Sequence, residues 1–257
     1  MGLLRDSTYG LIAEAESRGG IAVQVRTDTQ LSVLAAIRYS RMAGMPHEIL
    51  LSPKGESTAD YLVTSQCGIL LRTLDLPAAN RRLLGSNPRA EKTVEKLLID
   101  SGFGRLPPAQ LATIRDQLYA GLLTQLRSMP IGMRVDTWIH ADMPYLREQQ
   151  RSSMLQQLRD NTAALSPSVT HQFPAGVVDR TAAMSIAFAQ FWTALTGDPE
   201  HVQPYLRRPQ FARATALLAS IRQIPDDAAQ DYALIDAWAQ TLDMTGWYTW
   251  MPYAQGT

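Results

Sequence analysis

The chain has 257 residues, 46% of them apolar and 19% charged, which suits a folded protein with a sizeable core and excludes long disorder. Its 24 basic residues balance 24 acidic ones, so no global field advertises nucleic acid, a membrane surface or an acidic substrate. A single cysteine, Cys67, excludes an internal disulfide framework and suits a reducing compartment.

Asp6, Glu14 and Glu16 interrupt the first apolar stretch, MGLLRDSTYGLIAEAESRGG, which makes a poor signal peptide. No run approaches the roughly 20 apolar residues of a membrane span. A soluble, cytoplasmic protein is expected.

Helical spacing of Leu11, Ile12 and Ala15 predicts a helix over 7–18, stopped by Gly19-Gly20. IAVQVR (21–26) alternates as a strand does. LSVLAAIRYS (31–40), whose alanines also suit a helix, is read as a second strand ending near Tyr39, and HEILLSP (47–53) as a third. After the turn KGES, Ser57 is a plausible N-cap for a helix beginning at Thr58.

Beyond Leu76 the pattern is nearly all helical. Helices are expected over 89–99 and 108–128, the latter opened by Pro107-Pro108 and closed by Met129-Pro130. A separate helix over 131–143 and another over 146–164 follow. LSPSVTHQFPAGV (165–177), with two prolines and a glycine, is the best candidate linker, followed by helices at 179–196, 209–223 and 227–243. The tail GWYTWMPYAQGT has no clear period. Strands confined to the first fifth of the chain and helices thereafter make the expected class α+β, with one region at 1–164 and a helical one at 165–257.

The segment DYLVTSQCGILLR (60–72) carries Ser65-Gln66-Cys67-Gly68-Ile69 in the middle of a predicted helix. The order helix, strand, strand, edge-like strand and then this helix resembles the N-terminal half of zincin metallopeptidases, most closely the small intracellular ImmA/IrrE type. In that family the helix bears His-Glu-x-x-His: two imidazoles one turn apart bind zinc, and the Glu deprotonates the attacking water. The resemblance places Ser65, Gln66 and Ile69 on those three positions and Asp136 on that of the third ligand. Serine is a poor zinc ligand, glutamine is no general base, and isoleucine offers no donor atom. The resemblance therefore implies a zincin-like fold without zincin catalysis, with no bound metal or cofactor. Without it, Ile69 is a core residue, Ser65 and Gln66 face solvent, and Asp136 is a surface or helix-start acid.

Other candidates have bland readings beside the sharp ones. Cys67 is a possible nucleophile, but it lies mid-helix among apolar neighbours, where free cysteine is usually inert. Asp136 and His140, at i and i+4, form a two-ligand half-site or a surface ion pair. Arg207 and Arg208, with Arg213, Arg222, Tyr205 and Phe211, suit a nucleic-acid backbone, or a solvated helix face beside the acidic DDAAQD. Trp247, Tyr248 and Trp250 close a core or anchor a partner. No P-loop, GxGxxG or GxSxG occurs.

The sequence thus points to a catalytically inactive, zincin-like accessory or regulatory subunit that binds another protein, with nucleic acid and membrane disfavoured. Its rivals are a helical interaction module of a bacterial multi-protein system, without peptidase ancestry, and a hydrolase using Cys67 or the Asp136–His140 pair.

Overall fold

The computed structural model describes residues 4–40, 42 and 44–253. Helix α1 (Asp6–Gly19) stops where Gly20 takes a left-handed conformation, φ 66°, a conformation glycine adopts without a Cβ penalty. Strands β1 (Val23–Thr27), β2 (Ala35–Arg38) and β3 (His47–Leu51) form a sheet in the order β1-β3-β2. β3 runs parallel to β1 and antiparallel to β2, with Ile49 opposite Val25 on one side and Ile37 on the other. The third strand is therefore central, where the sequence suggested an edge.

A turn of 3-10 helix, Pro53–Thr58, leads into α2 (Ala59–Leu74). Ser57 does not cap α2: Thr58 holds the boundary without a side-chain cap bond. A side chain distant in sequence supplies one instead, since the Tyr61 N–H donates to Gln149 Oε1 at 3.1 Å. One orphan amide of the first turn is thus satisfied by tertiary structure.

The remainder comprises β4 (Arg82–Ser86), α3 (Pro88–Asp100), α4 (Pro108–Asp142), α5 (Arg147–Ala164), the single turn α6 (Pro167–Thr170), α7 (Ala175–Thr196), α8 (Phe211–Gln223), α9 (Asp231–Thr241) and β5 (Tyr248–Pro252). Two expectations are corrected here. Pro130 lies inside α4, so 108–142 is one helix of 35 residues rather than two. Proline lacks one helical N–H and strains the preceding turn, yet buried Leu126, Ile131, Met133 and Val135 flank it, and packing on both sides carries the helix through. Strands are also not confined to the first fifth, because β4 and β5 pair as a second, two-stranded sheet. The class is α+β.

The chain divides into two compact units. A sheet unit holds the described residues up to Leu83, Arg134–Gln157 and those from Met251; a helical unit holds Leu84–Met133 and Leu158–Trp250. In the sheet unit, Val23, Ile37, Ile49 and Leu51 pack with Ile12 and Ala15 of α1, with Val63, Leu70 and Leu74 of α2, and with Val135 and Ile139 of α4. In the helical unit α7 is buried almost all round from Ala182 to Ala189, as a central helix should be. Trp192 and Trp238 are its largest fully buried side chains, and the Trp238 indole N–H donates to the Leu217 carbonyl at 3.1 Å.

Candidate functional site

Helix α2 is fixed at its start by a carboxylate. Asp60 Oδ1 accepts from the Arg5 N–H at 2.7 Å and from the Thr8 hydroxyl at 2.9 Å, which ties the head of α1 to the first turn of α2. Eight residues on, at Gly68, α2 comes so close to α4 that an added Cβ would lie 2.7 Å from Val135 Cγ1 and 3.3 Å from Trp138. Only a residue without a side chain allows that approach.

This close packing brings Asp136 to α2. Asp136 is buried, with 6% of its surface exposed, which corrects its reading as a surface acid. The Tyr61 hydroxyl donates to Asp136 Oδ1 at 2.7 Å. Gln150 Nε2 donates to the Asp136 carbonyl at 2.9 Å and to Oδ1 at 3.4 Å. Gln150 Oε1 lies 3.3 Å from His140 Nδ1; an amide oxygen only accepts, so Nδ1 carries the proton in this contact. Asp136 and His140 are thus bridged by Gln150.

Burial pushes the Asp136 carboxyl up to about 6, against the opposing pull of the Tyr61 and Gln150 hydrogen bonds. Burial, and then the neighbouring Asp136 charge, raise the Tyr61 phenol, which stays protonated and serves as donor. Two residues that complete the network were not singled out from the sequence. Gln149 and Gln150 lie in a polar, Gln- and Arg-rich stretch, and their neighbouring positions at the start of α5 are the only local hint of a shared task.

Ser65 lies one helical turn beyond Tyr61 and is buried, and Gln66 is half-buried, so neither is simply a solvent-facing polar residue. Ile69 is partly buried and packs on the cluster containing Val135 and Ile139. Cys67 is completely buried, and burial pushes its thiol up to about 12, so at neutral pH it is protonated and a poor nucleophile. Ser65, Gln66 and Ile69 do not fit a zinc ion, because Ile69 has no donor atom and Ser65 a weak one. Among the described residues no group of three His, Cys, Asp or Glu side chains could hold a metal ion.

A second buried polar group sits at the start of β3. His47 is fully buried; its Nδ1 accepts from the Ser40 N–H at 3.0 Å and its Nε2 lies 2.9 Å from the Tyr253 hydroxyl. A ring that accepts at Nδ1 carries its proton on Nε2. Tyr253 stacks on the imidazole at 6.1 Å and Tyr39 meets it edge-on at 6.0 Å. Burial lowers the His47 pKa, in keeping with the neutral form.

The remaining candidates lie in the helical unit. Trp247 is buried, with the Arg180 guanidinium 4.9 Å from its ring centroid and its carbonyl accepting from the Tyr119 hydroxyl. Tyr248 and Trp250, two apart on β5, both donate to Asp236 Oδ1, at 2.5 and 3.0 Å. Arg207 is exposed, whereas Arg208 is half-buried and donates to the Leu165 carbonyl at 2.5 Å. Arg213 pairs with Asp179 and Asp243, so part of the basic run is neutralised within the unit.

No protein-family model, curated protein or solved structure matches the chain. Among the described residues no helix is long and apolar enough to cross a membrane.

Proposed function

We propose that the chain is a zincin-like protein without catalysis, a cytoplasmic accessory subunit that works by binding another protein. The observation that carries this reading is the state of Asp136. A carboxylate from a later helix faces α2 one turn from Ser65, where the resemblance puts a third metal ligand, and a phenol and an amide hold its Oδ1. Ile69 fills the adjoining position with hydrocarbon. Such a site retains the packing of helices around a centre while lacking the donors for metal chemistry.

The order of α1, three strands and α2 also supports the reading, whereas the central place of β3 departs from the expected layout. The rival reading, a purely helical interaction module, calls for few or no strands over 21–53, and that stretch holds three.

The test restores the ligands. Ser65→His, Gln66→Glu and Ile69→His are combined, in the wild type and with Tyr61→Phe to free Asp136. About one zinc per folded chain, bound by the variant and lost on adding Asp136→Ala, is the expected result by mass spectrometry. A folded variant that binds no zinc in either background sinks the zincin assignment.

A further inference from the structure

The tail was expected either to close a core or to anchor a partner, and its side chains divide between these tasks. Trp247 is buried. Tyr248 and Trp250 are half-buried, and with half-buried Tyr232 of α9 they surround the exposed carboxylate of Asp236. Trp250 meets Tyr232 at 4.7 Å between ring centroids, with 63° between planes, and Tyr248 at 5.5 Å, with 76°. Tyr232 and Asp236 are one turn apart on α9, while Tyr248 and Trp250 share one face of β5. All four belong to the helical unit.

The charge here is unusual. Asp236 accepts the Tyr248 hydroxyl and the Trp250 indole N–H on the same oxygen, Oδ1. Among the described residues it pairs with no cation, and Oδ2 accepts no hydrogen bond. Two aromatic donors thus stabilise the anion and fix its direction without neutralising it. Burial, then the hydrogen bond to Asp236 and its charge, raise the Tyr248 phenol, so this donor stays protonated. An aimed carboxylate among three aromatic rings complements a flat cation, which stacks on a ring face while an N–H reaches the free oxygen. A guanidinium meets both demands; an ammonium, being compact and strongly hydrated, does not stack.

We propose that Tyr232, Asp236, Tyr248 and Trp250 form a recognition site for an arginine side chain of a partner protein. This deepens the reading of the chain as a binding protein, and rests on it only for the molecule that bears the arginine. The site itself is independent of any metal-site ancestry in the sheet unit.

The test follows the Trp250 indole N–H by nuclear magnetic resonance in the full chain, titrated with N-acetyl-arginine amide, its lysine counterpart and the neutral isostere N-acetyl-citrulline amide. A saturable shift with arginine is expected, about tenfold weaker with citrulline and at least about threefold weaker with lysine. Asp236→Asn keeps an acceptor for Tyr248 and Trp250 and removes only the charge, and should weaken arginine at least about fivefold. Unchanged Trp192 and Trp238 indole signals establish that this variant is folded. No shift with arginine, equal shifts with citrulline or lysine, or undiminished binding by the folded Asp236→Asn chain would overturn the proposal. The zinc titration of the sheet-unit variants leaves these readouts untouched, so the two proposals fail separately.

Discussion

The sheet unit buries far more polar side chains than the helical unit does. The sheet unit buries His47, Asp60, Arg134 and Asp136, and hydrogen bonds from distant parts of the sequence hold His47, Asp60 and Asp136. The helical unit fills its interior with Trp192, Trp238 and the small residues of α7, buries one carboxylate, Asp231, and leaves Asp179, Arg213, Asp236 and Asp243 half-buried or exposed. A dry core gains from burial alone. A core with buried titrating groups couples its stability to pH. The comparison teaches that the two units answer different stresses, packing loss in one and proton uptake or release in the other.

The largest effect that would sharpen the contrast belongs to the helical unit. Trp238→Ala removes a fully buried indole and should cost about 3–5 kcal/mol, with little change in that cost between pH 5 and 8. Chemical denaturation at several pH values checks both halves of the statement; a cost that varies strongly with pH would blur the distinction between the units.

Asp136→Asn comes next. The folded sheet unit holds the Asp136 proton more tightly than the unfolded chain does. The contribution of this group is therefore full below the ordinary carboxyl range and is lost as pH rises through about 6. Asparagine carries no charge to bury, so the variant should gain up to about 3 kcal/mol over the wild type at pH 8 and nothing comparable at pH 4. Equal stability of the two proteins at pH 8 breaks the comparison. His47 works in the other sense: with its pKa lowered by burial, its contribution is present above the ordinary imidazole range and is lost as pH falls below it. The sheet unit thus carries opposite pH slopes in neighbouring windows.

The smallest of the three is Gly68→Ala. Its Cβ would meet Val135 Cγ1 at 2.7 Å, so α2 and α4 must separate slightly, at a cost of about 1–3 kcal/mol. Because Tyr61 and Asp136 bridge the same helices, the variant should also lower the Asp136 pKa by admitting water. Carbon-detected titration of the carboxyl reads this directly, and an unmoved pKa would show that the two contacts are uncoupled.

What the sequence reveals follows from the range of the interactions. Helix α1, strands β1 and β3 and helix α2 are legible locally, β2 only through the connection that follows it, and the structure places all five within a few residues of the expected ends. Continuity through Pro130 is not local, since a proline signal reads as a stop and only burial on both sides reverses it. β4 and β5 are short, one holds a glycine and the other ends in proline, and their pairing joins segments more than 150 residues apart. The candidate site divides in the same way. Asp136 is marked by the resemblance and by its spacing from His140, while nothing local marks Tyr61 or Gln150 as its partners. The phenol, carboxylate and amide meet through tertiary packing, and no spacing within one helix encodes that meeting.

The contact between His47 and Tyr253 has a consequence in time. Its partners are 206 residues apart, so a chain growing in the N-to-C direction makes β3 and must extend through the helical unit before the imidazole finds its phenol. Until then the sheet has its strands but lacks the side chain that occupies Nε2, and the intervening loop must close against its own entropy. The sheet unit is therefore begun before the helical unit and completed only after the whole helical unit has been made.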